Sequence, residues 1–135
     1  MIRKFIQGDP ATDRDLFCIV GQWAVSEAVH DALGMPVTGR DGDVWFILSD
    51  AHGPACFCQA RLQKNGTAHL RYLYFNKLPD GKKLLEGTLD ELNSRGVKAV
   101  FTNDRRTATI WDKYGFTAYE SNRKGSFVRW QKELK

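Results

Sequence analysis

Apolar positions in this 135-residue chain change period several times, and the changes mark out its elements. Residues 2–6, Ile-Arg-Lys-Phe-Ile, alternate enough to predict a first strand, closed by Gly8, Asp9 and Pro10. Leu16, Ile19, Val20 and Trp23 then recur at helical spacing, and Thr12 with Asp15 resembles an N-terminal capping pair. Ala24, Ala28, Val29 and Leu33 continue that apolar face until Gly34 and Pro36 stop it. A glycine-bearing loop follows over residues 35–42. Residues 44–48, Val-Trp-Phe-Ile-Leu, form a continuous apolar run, which predicts a strand covered on both faces. Residues 55–63 supply its partner, and Asn65-Gly66 signals a hairpin into a strand over 67–75.

From Gly66 to Phe116 the pattern reads as strand, Pro-Asp-Gly turn, helix, strand and helix, a βαβα unit around which the rest is organised. The predicted helix over 81–95 gathers Leu84, Leu85, Thr88, Leu89 and Leu92 on one face, and Gly96 ends it. A helix separates the strand over 97–102 from the strand over 67–75, so the two should be parallel with a right-handed crossover. Open parallel strands bind ligands beyond their carboxyl ends, which points to residues 75–81 and 103–105. There the helix start would set unpaired N–H groups and a positive dipole end beside Lys77, Lys82 and Lys83, an arrangement suited to phosphate. The competing reading is a solvated turn in which Asp80 caps its own helix. Strands over 116–121 and 127–134, joined by a polar turn at 122–125, close the chain.

Composition narrows the class. At this length one domain, residues 1–135, is expected, able to bury roughly two thirds of its unfolded surface. No apolar segment suggests export or a membrane span. The three cysteines, Cys18, Cys56 and Cys58, are an odd set that suggests reduced thiols and a cytoplasmic protein. Cys56 and Cys58 would share one face of a strand as packing residues, and His30 and His52 stand too isolated to predict a metal site. The net charge of +4 is mildly basic and fits an anionic cofactor, a nucleic-acid substrate or no particular partner.

The last third of the βαβα unit resembles the GNAT superfamily of acyl-CoA-dependent N-acyltransferases. Asp104-Arg-Arg-Thr-Ala-Thr-Ile-Trp111-Asp-Lys113-Tyr114-Gly115-Phe116 follows the family pattern Asn-x-x-Ala-x-x-Leu-Tyr-x-Lys-x-Gly-Phe. Lys113, Gly115 and Phe116 match outright, while Asp104 replaces Asn, Thr107 replaces Ala and Trp111 replaces Tyr. The family's pyrophosphate signature, Arg or Gln-x-x-Gly-x-Gly or Ala, survives only at Gly81, with Pro79 and Asn76 at its other two positions. The resemblance implies an α/β (α+β) fold with a central, mixed but mostly antiparallel sheet of about seven strands and flanking helices.

It also implies a site. Backbone groups of Leu73, Tyr74 and Phe75 would meet the pantetheine arm of acetyl-CoA, and Asn76, Lys77, Gly81, Lys82 and Lys83 would hold its pyrophosphate. Asp104 and Trp111 would complete the cofactor site. His69 stands where relatives place a base on the fourth strand, six residues before Phe75, and an imidazole suits that task near neutral pH. The alternative for His69 is a half-exposed strand residue beside Arg71. An indole is a poor proton source, so Tyr114, one turn beyond Trp111, is the candidate acid, with core packing as its alternative. The implied reaction is transfer of an acetyl or other short acyl group to an amine of a protein, peptide or small molecule, by a monomer or homodimer. Two rival readings are a non-catalytic GNAT-like binding domain and a nucleic-acid-modifying transferase of the bacteriophage type.

Overall fold

The computed structural model describes residues 2–105, 108, 110–121, 124–125 and 127–134. Arg106, Thr107 and Asn122 lie outside that set, so the pattern match at Thr107 and part of the turn at 122–125 do too. Among the described residues, seven strands form one sheet in the order β1-β2-β3-β4-β5-β7-β6. They are β1 (Ile2–Ile6), β2 (Val44–Asp50), β3 (Gly53–Leu62), β4 (Thr67–Tyr74), β5 (Ala99–Arg105), β6 (Thr117–Ser121) and β7 (Phe127–Glu133). Every neighbouring pair is antiparallel except β4 with β5. The mixed, mostly antiparallel sheet expected from the sequence is therefore present.

Helices pack on both faces. The apolar run in β2 explains how: Phe46 and Leu48 pack with α3 (Leu78–Ser94), while Trp45 and Ile47 face the α1 side. On that second face, α1 (Asp13–Ala24) and α2 (Glu27–Leu33) bury Leu16, Val20, Trp23 and Val29 against Phe5, Trp45, Ile47, Phe57 and Tyr72. The continuous helical face read from the sequence is broken at Val25 and Ser26, where the Ser26 hydroxyl accepts the Val29 N–H at 3.3 Å and starts a new helix. Thr12 occupies the N-cap of α1 without a side-chain capping bond, and Asp13 instead accepts the Gly8 N–H at 2.9 Å. Cys56 and Cys58 lie buried on the α3 face, and burial pushes the Cys58 thiol up to about 12, as expected of packing residues.

The largest departure from the sequence reading lies at the start of α3. That helix opens at Leu78, three residues before the predicted start, with Lys77 as N-cap and Pro79 in its first turn. Proline fits there because its missing N–H would have had no helical partner and its ring presets the helical φ. The Pro-Asp-Gly sequence is thus a helix start, and only residues 75–77 connect it to β4.

Candidate active site

Two features of β4 create a cleft in the middle of the sheet. β4 and β5 are paired only from Thr67↔Ala99 to Leu70↔Thr102, and beyond that point the strands separate. At the same point β4 bulges: Gln59 stands opposite Tyr72 and Ala60 opposite Leu70, leaving Arg71 without a partner in the ladder. Arg71 and Tyr72 consequently send consecutive side chains to the α1 side of the sheet, where both reach residues 36–38. The opening has a volume of about 420 Å³ and lies between Leu73, Tyr74 and Phe75 on one wall and Asn103, Asp104 and Arg105 on the other.

A buried polar network fixes the wall on the α1 side. Asp43, 1% exposed, accepts two 2.8 Å bonds from Arg61 and lies 3.6 Å from Arg71. Arg71 donates to the Gln59 side chain at 2.8 Å and to the Thr38 hydroxyl at 3.0 Å, and Gln59 donates to the Thr38 carbonyl at 2.8 Å. The Tyr72 hydroxyl donates to the Pro36 carbonyl at 2.9 Å. A Cβ at Gly39 would collide with the Gln7 side chain and come within 2.9 Å of Trp45, so this loop is packed as tightly as it is bonded. Fully satisfied buried networks of this kind rigidify what they hold.

The opposite wall is made by α4 (Ile110–Lys113) and the end of β5. Trp111 is buried, stacks edge-on with Phe116 at 5.1 Å, and donates its indole N–H to Asp104 at 2.8 Å. The pair explains two departures from the family pattern at once. An indole in place of a phenol needs an acceptor, and Asp in place of Asn supplies one.

Five of the residues expected at the site, Leu73, Tyr74, Phe75, Asp104 and Trp111, line the cleft together. Asn76 and Lys77 follow at its rim, and the Asn76 side chain accepts from the Tyr74 hydroxyl at 3.2 Å. Gly81 is buried in the first turn of α3 with Phe75 against it, where a Cβ would lie 2.6 Å from the ring. The small residue at this position is accounted for by the ring alone. Lys82 and Lys83 are the next residues of the helix, outside the cleft lining.

The two catalytic candidates are not in the cleft lining. His69 lies two residues before Arg71 and pairs across the ladder with Phe101, about 6–7 Å back along the strand from the opening. Burial, with Arg129, Arg71 and Arg61 nearby, holds its imidazole below the usual 6.5. Tyr114 points away to α3, donating to Glu86 at 2.8 Å, and partial burial together with Glu86 pushes its phenol up to about 12. Its geometry is that of the packing alternative. Spacing along the helix placed Tyr114 near Trp111 but could not tell which side of the short α4 would face the opening. Of the residues that line it on the α1 side, Arg71 and Tyr72 give no local signal, because alternation in His-Leu-Arg-Tyr hides the bulge.

Acyl-CoA can be compared with this site in two parts. The separated edges of β4 and β5 suit an extended pantetheine arm, which needs backbone partners on an unpaired strand. The pyrophosphate end is poorly provided for by the backbone. Pro79 has no N–H, the Asp80 N–H is bonded to the Lys77 carbonyl at 3.0 Å, and Asp80 adds a carboxylate to the first turn. Among the described residues, Lys77 caps that turn and Lys82 and Lys83 follow in the helix.

No protein-family profile matches the sequence, and no curated protein matches it either. Solved structures match over essentially its full length. An acyl-CoA N-acyltransferase from Pseudomonas aeruginosa superposes with a TM-score of 0.75 at 11% identity, covering 98% of each chain. The ribosomal-protein-S18-alanine N-acetyltransferase from Escherichia coli gives 0.60 at 20% identity, covering 99% of this chain and 93% of that one. An aminoglycoside 6'-N-acetyltransferase from Enterococcus faecium gives 0.63 at 14% identity over 100% and 97%. A mixed sheet whose parallel pair opens at its carboxyl end leaves a ligand crevice there. The fold of this chain is that of the GNAT acyl-CoA N-acyltransferases.

Proposed function

We propose that the protein transfers an acetyl or other short acyl group from acyl-CoA to an amine. The observation that carries this reading is the separation of β4 and β5 after Leu70 and Thr102, which leaves strand edges unpaired in the middle of the sheet. Leu73, Tyr74 and Phe75 would hold the pantetheine arm, and Lys77, Lys82 and Lys83 would meet the phosphates. When bound, the donor supplies a thioester carbonyl to the amine: a C–N bond forms, the C–S bond breaks and the sulfur leaves with a proton. An amine must be neutral to attack. The fixed positive charge of Arg71 on the cleft wall disfavours an ammonium there and so lowers the amine's pKa. Tyr114 is bonded to Glu86 and the Trp111 indole to Asp104, and His69 lies back along β4 from the opening, so water can carry the proton away from the amine. Catalysis then rests on positioning.

The first turn of α3 favours a second reading, a GNAT-fold domain that binds something other than acyl-CoA, because its backbone N–H supply is depleted at Pro79 and Asp80. The thermal midpoint with and without acetyl-CoA separates the two. At ~100 times its dissociation constant a ligand adds roughly 2.7 kcal/mol to the folded state. A clear rise is expected, and it should shrink in the Lys82→Ala/Lys83→Ala double variant, whose own stability should be close to that of the parent. Silence with acetyl-CoA, free CoA and longer acyl-CoAs would favour the second reading.

A further inference from the structure

The helices of the α1 side cover only part of the sheet. Their apolar partners come from β1 to β4, and the face of β5, β7 and β6 on that side carries Phe101, Asn103, Arg129 and Tyr119 instead. The Arg129 guanidinium lies 4.8 Å over the Phe101 ring and 5.9 Å from that of Tyr119, and the two rings are 6.5 Å apart. Ring faces orient a guanidinium plane without consuming its N–H groups. The Glu120 carboxylate is 4.0 Å away, too far for a hydrogen bond, and among the described residues the Arg129 side chain makes none.

Arg61 and Arg71, which with Arg129 surround His69, are already engaged by Asp43, Gln59 and Thr38. Arg129 is therefore the member of the group with no hydrogen bond among the described residues, its N–H edge oriented by the two rings and in a loose ion pair with the exposed Glu120 at 4.0 Å. Its position ties it to the cleft. It is the register partner of Asn103, and Asn103 lines both the cleft and a second depression of about 390 Å³ bordered by Glu120, Phe127 and Arg129.

We propose that the acceptor is an amine carrying a carboxylate or phosphate a few bonds away, with the anion held by the Arg129 fork and the amine directed past Asn103 into the cleft beside Arg71. The assignment of the amine rests on the acyl-transfer reading above; the anion site stands on Arg129, Phe101 and Tyr119. Charge complementarity selects this occupant: the Arg61, Arg71 and Arg129 guanidinium groups lie around His69 on this side, against Asp43, which is buried in its own ion pairs, Glu120 at 4.0 Å from Arg129, and Asp104 on the cleft wall, which accepts from the Trp111 indole. Base stacking on Phe101 is disfavoured because the guanidinium already covers that ring.

Matched amines test the proposal: 4-aminobutyrate against 4-aminobutanamide for a carboxylate, and O-phosphoethanolamine against ethanolamine for a phosphate. Binding is measured by calorimetry or amide chemical shifts for the parent, Arg129→Gln and Arg129→Lys, and thiol release is followed after acetyl-CoA is added. At least one anionic member should bind 10-fold or more tightly than its neutral partner, and the pair showing this identifies the anion. Arg129→Gln should abolish the preference and Arg129→Lys should keep part of it, with circular dichroism unchanged in both. Equal binding of the anionic and neutral members of both pairs, or a preference that survives in Arg129→Gln, overturns the proposal whatever the turnover. Selective anion binding without thiol release from any amine would leave the anion site standing and sink the acyl-transfer reading.

Discussion

The cleft has two mouths, and they are built by different means. On the α3 side the connection is short, Phe75 packs into the space over Gly81, and Pro79 and Asp80 remove N–H groups that a phosphate could use. On the α1 side a buried ion-pair network holds one wall in place, while Arg129 waits on an aromatic support at the other. The contrast teaches that a common opening between β4 and β5 does not require a common way of holding charge at its ends. One end has been closed by packing and left to flexible lysines, and the other has been made rigid and cationic.

The largest test of that contrast is Asp43→Ala. It would leave Arg61 and Arg71 without their buried carboxylate and should cost about 3 kcal/mol, toward the lower end for a broken buried pair because both arginines reach solvent. Urea unfolding measures it. A loss under ~1 kcal/mol would mean that the α1 wall is no more fixed than the α3 mouth. Next in size, Gly81→Ala should cost roughly 1–2 kcal/mol from crowding Phe75, despite the better helix propensity of alanine. The same change made in a Phe75→Ala background should cost less or even stabilise. Equal costs in the two backgrounds would separate Gly81 from the ring and reopen a phosphate role for it.

The smallest effect concerns His69. Its folded-state pKa is lowered by burial first and then by Arg129, Arg71 and Arg61, so the unfolded chain takes up the proton more readily. The contribution of a neutral His69 is complete above about 6.5 and is lost as pH falls through the lower folded value. Unfolding midpoints between pH 7.5 and 5 should therefore fall less steeply in His69→Gln than in the parent. Parallel curves would show that the cationic surroundings of the α1 side do not reach this residue.

Much of the architecture was legible because it is written locally. Asn65-Gly66 marks the hairpin, the apolar run over 44–48 marks a strand covered on both faces, and the leucines of α3 repeat at helical spacing. Local rules also misled. Pro-Asp-Gly fits a turn and a helix start equally well, and in the structure it starts the helix, with Phe75 packed over Gly81. His69 and Tyr114 have the chemistry of a base and an acid, yet a bulge at Arg71 and the direction of α4 leave them outside the cleft lining.

The sequence by itself determined the order of strands and helices, the parallel pair and the strand ends beyond which a ligand should lie, because periodicity and turn chemistry act over a few residues and a helical crossover between strands sets their direction. Tertiary structure alone decided which side chains meet at the opening. Asp104 needs Trp111, Asp43 needs Arg61, and Arg129 needs Phe101 and Tyr119, partners brought together by sheet register and packing across separate elements. Such contacts depend on where a bulge shifts the register and on which helix covers which strand, and neither is encoded at the positions that touch.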